Sequence, residues 1–598
     1  MPFLAVIWNP DEGKSTAAAH DIEQHIARHA PHAAVHPVGR GCSLYGLAAE
    51  GNGNAILPFA GKNGCGAIFG KVFSRGPSFG ARVPLKSLDA DAVPILANRG
   101  ERLITDYWGA YVAFLDSGDG LTVLTEPTSS LPCFYCTRMG VTLVFSHLEA
   151  CPLPDWIRFE VDFSFITVLL AYDKIQTGRS GLLNVRELAG GCRLHISKKG
   201  SKEELLWDPR KVAKDRLNLS PSGAATRLEE TVSNVVGSWS KAYPVVALNL
   251  SGGLDSAIVA ACMSQEKDQL DLMAVHFILG GGDPPEAAYA RTIASDLRLK
   301  LVECPVDPST PLPLPEYHPR SVRPFREFLG RSQDAQYRRE LGLNGRTIFT
   351  GQGGDHLFLE TRDPRIFADY LRQHGPGTQT GRELLAAARL SGTSIWQVLA
   401  QSLPEILFRS GDDGVLRGIE QRITELNRTA HAQLDTADLF PVWALEGLGL
   451  PPVKFAQVAS LVHMIQIRDG LALPDTSETI HPLISQPLVE LCLRLPAYLL
   501  CHGGQSRGMA RLAFKDRVPD QVRLRRSKGD ASRFYVAQVK ANRNLIADTL
   551  LNGTLVSQGL ISRQAIEAAL TPRVYGVNAS GRMILVYYAI EAWLSRWT

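Results

Sequence analysis

The chain has 598 residues, 45% of them apolar and 21% charged, with a formal net charge of +3. This is the balance of a folded globular protein long enough for two or three domains, each with its own core. So slight a positive excess argues against a nucleic-acid partner, and no run of about 18 apolar residues is present to span a membrane. The short apolar start, Phe3 to Trp8, has no basic leader, so the expected location is cytoplasmic. Among the ten cysteines, Cys133 and Cys136 form a CxxC pair, but no second pair follows at zinc-like spacing. Buried free thiols are therefore expected.

Residues 1–205 read as a mostly β domain. The runs 104–115, 121–125 and 141–146 are β-branched or aromatic and are separated by Gly, Asp and Ser turns. Asp116-Ser117-Gly118-Asp119-Gly120 is a hairpin loop. The lysine-rich stretch 197–204 reads as the tail of this domain. Beyond it the pattern changes to alternating helices and strands: helix 224–239, strand 244–250, a helix from about 256, strand 272–279, helix 286–297, then strands at 300–304 and 346–350. Such alternation predicts a parallel sheet. From about 360 onward the sequence reads as helical. The prolines at 305, 308, 311, 313, 315, 319 and 324 suit an extended connection or a lid.

Ser251-Gly252-Gly253-Leu254-Asp255-Ser256 carries the strongest chemistry. It follows a strand directly and opens a helix. Glycines let backbone amides approach a polyphosphate, and the positive end of the helix attracts the anion. Asp255 would repel phosphate, so it makes sense as a ligand to Mg2+. The GxxxxGK[ST] pattern is absent, which separates this loop from the commoner nucleotide-binding one; the bland alternative is an ordinary Gly-rich turn. Further on, the strand ending at Thr350 runs into Gly351-Gln352-Gly353-Gly354-Asp355. This is again a glycine turn that presents an aspartate at a strand's carboxyl end, where ligands bind in open α/β sheets. Asp255 and Asp355 are thus expected to share one Mg2+-pyrophosphate.

The pair of motifs resembles asparagine synthetase and its relatives, which carry SGGLDS followed by a Gly-x-Gly-[Ser/Gly]-Asp turn. The resemblance extends to Phe277-Ile278-Leu279-Gly280 with Glu286, to His481-Pro482-Leu483, and to Arg507 through Asp516 with Val518-Pro519 and Arg526-Ser527-Lys528-Gly529. It implies an α/β multidomain protein. An N-terminal β-rich domain like an N-terminal-nucleophile (Ntn) glutaminase would cover 1–205. A PP-loop α/β ATP-pyrophosphatase domain with a helical extension would cover 206–598. ATP would lie against Leu250, Ser251, Gly252, Gly253, Asp255, Ser256, Leu279, Thr350 and Gly351, with Mg2+ on Asp255 and Asp355. Lys528 would stabilise the developing negative charge, the alternative being a surface lysine in a basic run.

Two departures from that family matter. Position 2 is Pro2, where asparagine synthetases place a nucleophilic cysteine, so the first domain is expected to keep the fold without the reaction. Gln352 replaces the glutamate of Gly-Glu-Gly and cannot act as a base, which leaves the general base unassigned. An amine already on the substrate then becomes the expected nucleophile, as in β-lactam-type synthetases and lasso-peptide cyclases. Trp108-Gly109-Ala110-Tyr111, Glu126-Pro127, Pro132-Cys133-Phe134-Tyr135 and the Gly-x-Gly-Gly-Asp-x-x-Phe run through Phe358 are more similar to the lasso cyclases. That likeness implies a linear core peptide as substrate, with a leader peptidase and a precursor-recognition protein of the same pathway as partners. A small-molecule amide synthetase and a non-catalytic scaffold are the alternatives.

Overall fold

The computed structural model describes the chain apart from residues 1, 48–55, 63, 76–82, 173–176, 281–284, 409–427, 433–439, 467–477, 526–530 and 572–579. The first 205 residues form two six-stranded antiparallel sheets. One runs Arg186–Glu187, Phe134–Arg138, Val141–Phe145, Phe3–Ile7, Cys42–Gly46, Ala34–Pro37; the other runs Gly200–Leu205, Cys192–Ser197, Leu121–Thr125, Tyr107–Asp116, Gly64–Ser74, Ile56–Gly61. The sheets pack face to face. Phe3 of the first sheet meets Phe69 and Phe114 of the second at 5.2 and 5.9 Å between ring centroids.

Local structure departs from the sequence reading in several places. The strand expected from Ile104 begins instead at Tyr107, because Glu101–Asp106 is a short helix entered through Gly100 at φ 86°. The lysine-rich stretch 197–204 is no tail: it turns the hairpin Cys192–Ser197/Gly200–Leu205 at the edge of the second sheet, where exposed charge suits an unpaired edge. The helix Gly13–His29 was not expected at all. It buries Ser15, Ala18, Ala19, Ile22 and Ile26, an apolar stripe at helical spacing.

The second domain is built on a five-stranded sheet in the order Lys300–Val306, Asp271–Leu279, Val245–Asn249, Thr347–Phe349, Thr479–Ile480. Every described pairing in it is parallel. Alternate residues serve opposite faces: Val246, Leu248 and Ala274 join the main core, while Ala247, Met273 and Val275 form a smaller cluster with Leu343. A sheet covered on both faces explains why its strands read as apolar runs. The first strand in sequence lies in the middle. The chain steps outward to one side, then returns to the other, so the strand order reverses between Val245–Asn249 and Thr347–Phe349. The crevice at such a reversal, outside the carboxyl ends of the strands, is where open α/β sheets bind ligands.

Helices dominate after residue 360, as expected. Asp369 is buried and accepts the backbone N–H groups of Val453 and Lys454 at 3.0 and 2.8 Å, capping the helix Pro452–Gln466. Lys454 donates to the carbonyls of Cys492 and Leu495 at 3.2 and 2.6 Å. Burial pushes the Asp369 carboxyl up to about 7 and the Lys454 ammonium down to about 7. Their partners are helix ends, so their work is structural.

The proline-rich segment is an extended connection wedged between the domains. Its carbonyls accept from the helix Ser580–Leu594: Pro313 from Tyr588 and Ser321 from Trp593, both at 2.8 Å. Val322 O accepts from Gly181 of the first domain at 2.8 Å, and Arg323 pairs with buried Glu187 at 2.5 Å. Stacked Phe73 and Trp108 of the first domain meet Trp239 of the second edge-on, and Trp207 Nε1 donates to Glu490 at 3.0 Å. Among the described residues no helix is long and apolar enough to cross a membrane.

Candidate active site

The loop 250–253 leaves the central strand at the point where the strand order reverses. Leu250 is buried and still paired with the sheet, donating its N–H to Val275 O at 2.8 Å. His276 donates from Nδ1 to Leu250 O at 2.8 Å, propping the loop from beneath. The hydroxyls of Ser251 and Ser256 lie 3.0 Å apart, Gly253 N donates to Ser251 Oγ at 3.3 Å, and Ser256 Oγ donates to Gly253 O at 3.1 Å. Gly253 caps the helix Leu254–Met263 in extended conformation without a side-chain acceptor. A helix start of this kind, with no side-chain cap, is where anions bind.

The glycines have a reason besides the approach of phosphate. Gly252 has φ +77°, and a Cβ there would stand 2.4 Å from Glu286 O; the loop is pressed onto the helix Pro285–Asp296. A Cβ on Gly351 would stand 2.5 Å from Ser256 N, and one on Gly354 would stand 2.4 Å from Asp255 Cγ. The second loop is thus laid directly on the first turn of the helix Leu254–Met263. Gly252→Ala should lower ATP affinity about tenfold or more, since a left-handed alanine costs roughly 1–2 kcal/mol before the clash is counted. Calorimetric titration checks this, and wild-type affinity would place the nucleotide elsewhere.

That close seating brings the two predicted carboxylates together. Arg507 Nη1 lies 3.1 Å from Asp255 Oδ2 and 2.6 Å from Asp355 Oδ1, and its Nη2 lies 3.6 Å from Glu360 Oε1. One nitrogen touches both aspartates, so a cation at that point would also touch both. The Arg507 side chain is 11% exposed. Burial works to lower its pKa, but the charges of Asp255, Asp355 and Glu360 outweigh this and hold it above the usual arginine value. Its backbone is left-handed, φ 56°, with N–H donated to Leu359 O at 3.2 Å.

The remaining expected residues fall around this centre. Leu279 ends the strand Asp271–Leu279 at the same edge, 38% exposed. Thr350 pairs its N–H with Ile480 O at 3.1 Å, and its hydroxyl meets His481 Nδ1 at 2.7 Å and accepts from Gln352 N at 3.2 Å. Gln352 itself is exposed. Lys528 lies outside the described residues, but the chain leading to it is firmly held. Arg525 pairs with Glu286 and lies 4.4 Å from the centre of the Tyr289 ring. Arg511 donates to the carbonyls of Ser506, Arg523 and Arg525. Sequence reasoning missed Arg507, Glu360, Arg511 and the Arg525–Glu286 pair as site residues; the motif stretch from Arg507 to Asp516 held the first and third, and Glu286 stood in the resemblance, with no role given to any of them.

Asp255 and Asp355, the glycine cradles and the open helix end fit ATP with Mg2+. Among the described residues no group of three or more His, Cys, Asp or Glu side chains is placed to hold a metal. An ion on these two aspartates would leave coordination positions that phosphate and water oxygens suit.

The chain overlays glutamine phosphoribosylpyrophosphate amidotransferase from B. subtilis complexed with ADP and GMP at 12% identity, over 58% of this chain and 74% of that one, with a TM-score of 0.23. It overlays an allosteric regulatory enzyme of purine biosynthesis at 12% identity, over 57% and 88% of the respective chains, with a TM-score of 0.23. For an NH3-dependent NAD synthetase from Campylobacter jejuni subsp. jejuni the identity is 15%, over 34% and 93%, with a TM-score of 0.19. Overlays this loose fix neither fold nor function. No curated protein matches the chain. The profile of the asparagine synthase family, by contrast, matches residues 227–595, the whole of the parallel-sheet core and the helices after it. The chain belongs to the asparagine synthase family and is an ATP-dependent amide ligase.

Proposed function

We propose that this ligase closes a macrolactam in a linear core peptide, as a lasso-peptide cyclase does. A side-chain Asp or Glu carboxylate of the peptide is joined to the peptide's own N-terminal amine, and ATP is split to AMP and pyrophosphate. The observation that carries the AMP-forming half is the convergence of Asp255 and Asp355 on one point beside the glycine loop, where the strand order reverses. The peptide half is supported by Pro2, which offers no thiol at the head of the first strand, and by the motifs that resemble lasso cyclases. On this reading the first domain does not hydrolyse glutamine, and the nitrogen comes with the substrate. A leader peptidase and a precursor-recognition protein would deliver the peptide.

In the first step a carboxylate oxygen attacks the α-phosphorus and the bond to the β-phosphate breaks. The first-turn amides of the helix Leu254–Met263 and the hydroxyls of Ser251 and Ser256 would hold the departing pyrophosphate. Mg2+ held by Asp255 and Asp355 would neutralise charge on the phosphates. In the second step the neutral α-amine attacks the acyl carbon, forming the C–N bond as the C–O bond to AMP breaks, and the proton shed by the nitrogen passes to solvent water. An α-amine has a reference pKa of about 7.7–8.0, so an appreciable share is already neutral at neutral pH. A neutral Gln352 is then tolerable. Holding both ends of the peptide at one site replaces a flexible-chain encounter with an oriented one.

The test uses two altered peptides. Replacing the acceptor Asp or Glu with Asn or Gln should stop AMP release. Acetylating the N-terminus should permit activation and stop ring closure. Cyclisation of both altered peptides would refute this route.

A further inference from the structure

Arg507 stands where a cation belongs. Its Nη1 touches both carboxylates assigned to Mg2+, at 3.1 and 2.6 Å, and Nη2 reaches toward Glu360. The side chains of Asp255 and Asp355 are 13% and 32% exposed, so each is partly desolvated and would repel the other without a positive charge between them. A guanidinium cannot shed its charge at any ordinary pH. A metal ion entering at that point must therefore displace Arg507 as a cation.

We propose that Arg507 competes with Mg2+ for Asp255 and Asp355, and that the polyphosphate of ATP relieves the competition. This rests on the reading of the two aspartates as metal ligands. With no nucleotide bound, the guanidinium neutralises both carboxylates and keeps metal affinity low. When a polyphosphate lies on the glycine loop beside Asp255, it offers Arg507 a second anionic partner that suits its planar donors. The side chain transfers to phosphate and the carboxylates are freed for the metal. The backbone need not move: its left-handed turn is fixed by the hydrogen bond to Leu359 O, and the helix Gly508–Ala513 follows at once. Metal and nucleotide then bind with positive coupling, and by linkage each strengthens the other equally. The metal arrives with the nucleotide and not before it.

The experiment measures Mn2+ binding to the full chain by the EPR signal of the free ion, with and without a non-hydrolysable ATP analogue. The signal is corrected for metal bound to the analogue alone. Wild-type protein should bind Mn2+ weakly by itself and about tenfold or more tightly with the analogue, within the usual range of coupling between sites. Tight binding by the wild type without nucleotide would overturn the proposal with no variant needed. Arg507→Gln, and Arg507→Leu as an apolar filler should the first not fold, should bind Mn2+ alone about tenfold more tightly than wild type and gain little from the analogue. Wild-type affinity in a folded variant also overturns it. Asp355→Asn should remove the bound Mn2+ in every background. If it does not, the aspartates are not the metal site, and the functional reading fails separately from the role given to Arg507.

Discussion

Asp255→Ala and Asp355→Ala are each expected to abolish carboxylate-dependent exchange of pyrophosphate into ATP while leaving the protein folded. The two side chains come from the first turns of different helices, which follow neighbouring parallel strands, and meet on one guanidinium nitrogen. Neither has a place in the apolar core, so neither is needed to build the sheet. Loss of either leaves a metal ion with a single protein carboxylate, too few for a hard cation that must also position the leaving pyrophosphate. Removing one carboxylate also leaves Arg507 under-compensated. The asparagine variants, which preserve shape, serve as controls for folding and should lose exchange equally. Exchange at the wild-type rate in any of these folded variants would exclude the metal role.

Lys528→Ala is expected to cut turnover by about a hundredfold to a thousandfold with little loss of ATP affinity, the usual cost of removing one preorganised group that stabilises developing charge. Three arginines precede it in the described chain. Arg507 sits on the two aspartates, Arg511 ties down the backbone at Arg523 and Arg525, and Arg525 pairs with Glu286 of the helix that packs on Gly252. The chain up to Arg525 is thus rooted beside the glycine loop. A single-turnover measurement separates chemistry from binding. Unchanged turnover would make Lys528 a surface lysine, while a loss of ATP affinity alone would make it a binding group.

Much of the second domain was legible because its signals are local. Ser251 to Ser256 directly follows a strand and opens a helix, and strands alternate with helices at parallel-sheet spacing. The sequence also singled out Asp255 and Asp355, since each ends a glycine turn after an apolar strand, and the two side chains do meet on Arg507. Arg507 was not legible as a partner of those aspartates. It lies 252 and 152 residues from them, and no pattern at that separation points to contact. The glycines were read for phosphate alone, whereas Gly252, Gly351 and Gly354 are also demanded by loops pressing on a helix or on each other, which only the assembled sheet reveals. In the first domain Ile104 reads as β by composition, but Gly100 starts a helical turn that tertiary packing retains. The stripe from Ser15 to Ile26 was visible in principle and lost beside the stronger β signals. The proline-rich connection was legible as extended, because prolines fix φ and remove donors; that it would wedge the two domains together was not.

On the proposed route, activation by AMP transfer precedes attack by the peptide's own amine. The most direct measurement incubates the protein with a linear peptide, ATP and Mg2+, and follows nucleotide and peptide together by chromatography and mass. The prediction is one AMP and one pyrophosphate for each peptide that loses one water, with the loss mapped to a bond between the N-terminal amine and an Asp or Glu side chain. Formation of ADP and phosphate, or AMP release with no loss of water from the peptide, would contradict it.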